Sequence, residues 1–175
     1  MTNRFDDLHI NVTYSYYIPF EDSAVLNILL ANNIGSDGIG VTEAEAANAT
    51  FTIGFFENNT DITSFNTFNL FTKANTNPPS NLFYNCTNLT SIDLSNITTC
   101  SSWEFRNCSS LQLSTSALTN VTTIGPYAFG NVSQLSGNLN LPNLTGTLGT
   151  RSFDSTGISS ILSLGSVIEI GEYVF

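Results

Sequence analysis

The sequence predicts an α+β chain in which a short N-terminal α/β cap precedes a β-rich repeat solenoid. Three observations point there. A short phrase beginning at Phe83 recurs down the second half of the 175-residue chain at nearly constant spacing. Aliphatic and polar residues alternate after each copy, which is the pattern of short strands with one face inward. The composition is neutral and polar: Asn, Ser and Thr together number 65, and 13 Phe stand against one Trp and one Met.

Residues 1–50 lack the repeat and form the predicted cap or attachment region. His9-Ile10-Asn11-Val12-Thr13-Tyr14-Ser15-Tyr16 alternates as a strand does, and Pro19 ends it. Asp22 or Ser23 then caps a helix carrying Ala24, Val25, Leu26, Ile28, Leu29 and Leu30 on a broad apolar face. Thr42-Glu43-Ala44-Glu45 is a capping box that starts a second, short helix. The helix, Asp37-Gly38 loop and helix resemble an EF-hand-like calcium loop. With Gly38 at the sixth position, Asn33 falls first, Gly35 third and Ala44 twelfth, so Asp37 is the one carboxylate left among the ligand positions. Asn33 and Asp37 make a degenerate set; calcium is not expected to bind well, and the loop reads as kept for its turn geometry.

From residue 51 onward the repeat takes over. Phe83-Tyr84-Asn85-Cys86-Thr87-Asn88-Leu89 aligns with Phe105-Arg106-Asn107-Cys108-Ser109-Ser110-Leu111 and with Phe129-Gly130-Asn131-Val132-Ser133-Gln134-Leu135. Phe153-Asp154-Ser155-Thr156-Gly157-Ile158 is a further copy, Val174-Phe175 opens another, and Phe56-Glu57-Asn58-Asn59-Thr60-Asp61-Ile62 precedes them. The Phe spacings from Phe83 are 22, 24, 24 and 22, and from Phe56 to Phe83 the spacing is 27. A unit this small cannot bury its own apolar face, so it lies on its neighbour and a continuous core results. The predicted repeat core is Phe56, Phe83, Phe105, Phe129 and Phe153 with Cys86, Cys108, Leu89, Leu111, Leu135 and Ile158. Leu89-Thr90-Ser91-Ile92-Asp93-Leu94, Leu139-Asn140-Leu141 and Ile161-Leu162-Ser163-Leu164 supply the alternating strands. Asn, Ser and Thr between them suit turns, because their side chains bond to nearby backbone.

Val121-Thr122-Thr123-Ile124-Gly125-Pro126-Tyr127-Ala128-Phe129 and Val167-Ile168-Glu169-Ile170-Gly171-Glu172-Tyr173-Val174-Phe175 carry a resemblance to the BspA-like family of leucine-rich repeats. It covers residues 51–175, with Val132 and Thr156 standing where the family has Cys. The resemblance implies a curved solenoid used for binding, typically in adhesion, with no catalysis and no shared functional residues to carry over. The acidic loop, the Ala-rich helix and Asn59-Thr60-Asp61-Ile62-Thr63-Ser64-Phe65 together look like modules of gut bacterial surface proteins and of virion proteins of the tailed phages that infect them.

Composition narrows the function further. Four Lys and Arg against 14 Asp and Glu give a formal net charge of −10, so no basic stripe exists to track phosphates and nucleic acid is excluded as a partner. No stretch approaches 18 apolar residues, so no helix inserts in a membrane, and the N-terminus reads as lacking a secretory leader. The three cysteines Cys86, Cys100 and Cys108 read as buried free thiols. A lone His9 supports neither a Ser-His-Asp triad nor a zinc site. Asp6-Asp7, Glu21-Asp22 and Glu43/Glu45 read as solvated carboxylates, and the Asn-x-Ser/Thr sequons at Asn85, Asn120 and Asn143 follow from composition. Trp103 is the candidate ligand contact, weighed against a role at a coil edge.

The expectation is therefore a structural and binding protein, not an enzyme, without metal or cofactor. It is a bacteriophage virion component, either a fibre or a capsid or tail decoration. It would attach to other virion proteins through its N-terminal region and present the repeats to a host-surface protein or glycan, a homo-oligomer being compatible. The alternative is a cell-surface adhesin of a gut bacterium or protist. Because Phe175 stands inside a repeat, the solenoid is expected to continue beyond it or to dock there.

Overall fold

The structure, a computed structural model, describes residues 16–175. The strand expected over His9–Tyr16 lies almost wholly outside the described residues. Tyr17 makes an antiparallel bridge to Thr42, and the Ile18 amide donates to the Val41 carbonyl at 2.8 Å.

Helix α1 spans Ser23–Ala31, and α2 spans Glu43–Asn48. Asp22 is the N-cap of α1, accepting from the Ala24 amide at 2.8 Å. The capping box of α2 is complete: the Glu45 amide donates to the Thr42 hydroxyl at 3.2 Å, and the Thr42 amide donates back to the Glu45 carboxylate at 2.9 Å. Val25 and Leu29 of α1 and Ala46 of α2 are fully buried, in one core with the repeats.

The rest is a β-solenoid. Short parallel strands β1 (Ser64–Phe65), β2 (Ser91–Ile92), β5 (Ser136–Asn140) and β7 (Gly157–Ser163) lie along one side. Strands β3 (Thr99–Cys100), β4 (Thr123–Ile124), β6 (Thr145–Leu148) and β8 (Ser166–Ile170) form a four-stranded parallel sheet on another. The longer first interval is absorbed by a 3₁₀ turn over Phe68–Leu70 and a short helix α3 (Thr72–Thr76), whose Asn75 carbonyl receives the Thr98 amide at 3.0 Å.

Each coil closes at a tight turn centred on its Phe. The residues two before and two after that Phe have left-handed backbone: Gly54 and Asn58, Asn81 and Asn85, Trp103 and Asn107, Tyr127 and Asn131, Arg151 and Ser155. This alternation aims three amides at the next coil. Asn81, Phe83 and Asn85 donate to the carbonyls of Ser102, Glu104 and Arg106 at 3.0, 2.8 and 2.8 Å. Trp103, Phe105 and Asn107 repeat the pattern onto Pro126, Ala128 and Gly130. Inside, the rings stack in one column. Centroids are 5.1 Å apart for Phe56–Phe83, 5.4 Å for Phe83–Phe105, and 5.5 Å for both Phe105–Phe129 and Phe129–Phe153. Phe153–Phe175 follows at 5.9 Å, and no pair in the column departs from parallel by more than 10°.

Asn and Thr stitch the coils together. Asn85 and Asn131 donate to the side chains of Asn58 and Asn107 at 2.9 and 2.8 Å. Asn120 and Asn143 donate to the Ser95 and Thr119 carbonyls at 3.0 and 2.9 Å. The three sequon asparagines named above are thus bonded between coils. Gly149 sits at a close approach of neighbouring coils: a Cβ there would lie 2.3 Å from the backbone of Gly125.

Candidate binding surface

The predicted repeat-core residues fall inside with one exception. Phe56, Phe83, Phe105, Phe129, Phe153, Cys86, Cys108, Leu89, Leu111 and Leu135 are all buried. Ile158 is only half-buried, packed against the edge of the core from β7. Ile161-Leu162-Ser163-Leu164 was expected as a strand with one face inward; Ile161, whose partner Leu139 is buried, is nevertheless 46% exposed, and Leu162 on the opposite face is 67% exposed. The reason is common to Ile158 and Ile161: β7 has a paired strand on one side only.

The thiols are chemically quiet. Those of Cys86 and Cys108 donate to the Phe56 and Phe83 carbonyls at 3.0 and 3.1 Å. Desolvation pushes Cys86 up to about 12 and raises Cys100 and Cys108 as well.

The acidic loop between α1 and α2 uses its carboxylates internally. Asp37 accepts from the Tyr17 hydroxyl, from the Ile39 amide at 2.9 Å and from the Gly40 amide at 3.4 Å. The Tyr17 hydrogen bond leads the causes that hold Asp37 below the usual carboxylate range. Glu45 takes the Ser36 and Thr42 amides at 2.8 and 2.9 Å; with the Thr42 amide as the leading cause, its pKa falls to about 2. No group of three His, Cys, Asp or Glu among the described residues could hold a metal ion. His9 lies outside the described residues. Glu21 receives the Asn66 side chain at 2.7 Å.

Asp22 closes the first strand. Besides capping α1, its second oxygen accepts from the Thr63 amide at 2.6 Å, the Thr63 hydroxyl at 2.8 Å and the Ser64 amide at 3.1 Å. Burial would raise its pKa, but the Thr63 donors and the other amides outweigh that and lower it. The amides of Thr63 and Ser64, at the entry to β1, are thereby covered.

The exposed chemistry collects on the turn edge. Trp103 is half-buried there, outside the Phe column. Its ring stacks on Tyr127 at 4.6 Å and meets Tyr84 edge-on at 5.8 Å. The Arg106 guanidinium lies 4.3 Å from the Trp103 centroid and 4.4 Å from that of Tyr127. The Arg106 stem passes Gly130, where an added Cβ would stand 3.7 Å from its Cγ. One step along, Arg151 lies 4.8 Å from the Tyr173 ring and pairs with Asp154 at 3.3 Å. That is the only ion pair among the described residues, so Arg106 has no carboxylate partner there. Directly beneath, Glu104 occupies an inward position: one oxygen accepts from the Ser101 amide at 2.7 Å and the other is buried without a partner. Desolvation pushes its pKa up to about 8.

The sequence singles out Trp103 but not its company. Tyr127 lies 24 residues on, and only the coil period brings the two together. The signal was available in the residue two before each Phe, which runs Gly54, Asn81, Trp103, Tyr127, Arg151, Tyr173.

Residues 49–175 match the family described as BspA type leucine rich repeat region, in six copies. Neither the curated proteins nor the solved structures give a match to the chain.

Proposed function

Because the chain belongs to the BspA-type leucine-rich-repeat family, we propose that it is a non-enzymatic surface-binding module whose repeats hold a partner through their exposed turn edge. Repeats of this family point to a surface or binding protein. The observation that carries the reading is the division of labour across the coil. The interior is filled by stacked Phe and aliphatic side chains, and a strip of aromatic and cationic groups lies outside that column, with Trp103, Arg106 and Tyr127 half-buried on it and Arg151 with the exposed Tyr173 one step along.

The setting we infer is a bacteriophage virion, with the N-terminal region contacting other virion proteins and the solenoid presented to the host. What supports it is the acidic, lysine-poor composition and the likeness of residues 33–65 to modules of such proteins. The cell-surface adhesin of a gut bacterium or protist is the alternative setting. Immunogold labelling of purified particles, beside labelling of intact cells, decides between them. Gold on particles supports the virion; gold on the cell envelope alone removes it. For the binding role itself, fluorescently labelled protein is expected to decorate host cells saturably. Cells left undecorated, or a host polysaccharide cleaved by the purified chain, would overturn it.

A further inference from the structure

Resting on the reading above, we propose that Trp103, Tyr127 and Arg106 form a binding site for a carboxylate-bearing sugar, a uronic or sialic acid within a surface glycan. The backbone supplies the first argument. Trp103 and Tyr127 sit at φ of 63° and 58°, where bulky side chains are strained, whereas the equivalent positions in earlier coils hold Gly54 and Asn81, which adopt that conformation readily. Strain held at a partly exposed position is a pointer to function. It places two large rings on the outer edge of the solenoid, where folding alone would be served better by Asn or Gly.

The second argument is the unpaired cation. In a chain of net charge −10 with four Lys and Arg, two of the four stand on this strip. Arg151 is paired with Asp154, but Arg106 faces no carboxylate among the described residues. The carboxyl on the neighbouring turn position, Glu104, is fully buried and pushed up to about 8, which leaves it largely uncharged at neutral pH. A planar guanidinium with free donors suits a carboxylate through paired hydrogen bonds. The aromatic rings beside it offer an apolar platform of the kind a sugar ring's hydrogen-bearing face covers. A neutral sugar would use the platform and leave the arginine idle; a bare anion would do the reverse.

Trp103 is the only tryptophan, so its fluorescence reports this site alone. The full chain is titrated with trigalacturonic acid, sialyllactose, neutral lactose and a tetraglutamate peptide. At least one acidic saccharide is expected to change Trp103 emission saturably where lactose and peptide do not. Calorimetry of Arg106→Gln and Trp103→Asn is expected to show affinity reduced about tenfold or more, as loss of a charge-assisted pair or a stacked ring implies. Trp103→Asn is expected to melt no lower than the parent, since Asn81 already fills the equivalent position; a merely structural tryptophan would lower the melting temperature instead. Silence with every saccharide, equal response to lactose, or response to the peptide alone overturns the proposal. Labelled protein that decorates cells equally well with and without these substitutions overturns the site and leaves the binding module standing.

Discussion

Glu104 is a carboxyl at the turn position that holds Leu82, Ala128, Ser152 and Val174 in other coils, all of them buried. Being fully buried, it keeps its proton in the folded chain up to about pH 8, against 4.5 for an ordinary glutamate. The folded state therefore binds a proton that the unfolded chain releases. The associated stability is complete below the unfolded pKa and drains away as pH rises through about 8. Urea unfolding between pH 5 and pH 8 should show stability falling by up to about 1.4 kcal/mol per unit from this group. Glu104→Gln should flatten that fall; parallel profiles would refute the assignment. Glu45 works in the opposite sense, contributing above its unfolded pKa and losing that contribution only as pH falls toward about 2, so it does not interfere in this window. The thiols allow a second test. Ellman's reagent should find Cys86, Cys100 and Cys108 inert in the folded chain and reactive at the rate of unfolding. Burial of Cys86 and Cys108 was legible in the sequence, since both stand three residues after a repeat Phe; Cys100 stands at no such offset. Burial of Glu104 went unread, because its own polarity points to the surface and only the apolar Leu82, Ala128 and Val174 at the same repeat position mark the turn as directing it inward.

The coil turn shows how far a motif can be read. Ile-Gly recurs at Ile124-Gly125 and Ile170-Gly171, and the structure supplies the reason: a Cβ at Gly125 would meet the Ser102 amide nitrogen at 2.7 Å, and one at Gly171 the Thr150 nitrogen at 2.5 Å. Gly149 is tighter still, against backbone that cannot rotate away. Gly149→Ala should lose about 1–3 kcal/mol in urea unfolding, the usual range for forcing atoms into a packed interface; an unchanged midpoint would show that the coils have slack. Both helix caps were legible because they depend on residues two or three apart, at Asp22 and at Thr42 with Glu45. The second use of Asp22, on Thr63 and Ser64, was not, since 41 residues of chain separate the partners. Alternation marked β2 and β5, at Leu89–Leu94 and Leu139–Leu141, and missed the two-residue strands β1, β3 and β4, which are too short to show a period, as well as β6. In β7 alternation overstated burial at Ile161, which lacks the following strand that covers its partner Leu139 in β5.

Across the whole molecule the described residues share one apolar core from Ile18 to Val174. Nothing in that core is independent of the coils on either side, so a fault in the middle should travel. Phe105→Ala is expected to lower unfolding free energy by about 3–5 kcal/mol. Hydrogen exchange should quicken at the amides of Phe83 and Phe105, whose inter-coil bonds flank the cavity. Phe175→Ala, at a ring already 52% exposed, should lose far less. Equal losses would mean that the column is not what joins the coils. The column was legible from the period at Phe; the aromatic edge needed the same period followed at the position two before each Phe, where Trp103, Tyr127 and Tyr173 stand.

The ladder of amides, side-chain amides and rings also governs how such a chain can change length. A residue inserted within a strand is taken up locally as a bulge, as between β5 and β7 and between β6 and β8, where the pairing skips a residue and the rings of Phe129, Phe153 and Phe175 still stack. An added coil of 22 or 24 residues would reproduce each contact and shift the rest of the rod forward by one ring spacing of roughly 5.5 Å. The first interval, with 27 residues, shows the other permitted route: surplus chain leaves the stack as α3 and rejoins it in register. Reach is thus adjustable in whole steps, like links in a chain, while the spacing between outward-facing side chains stays fixed.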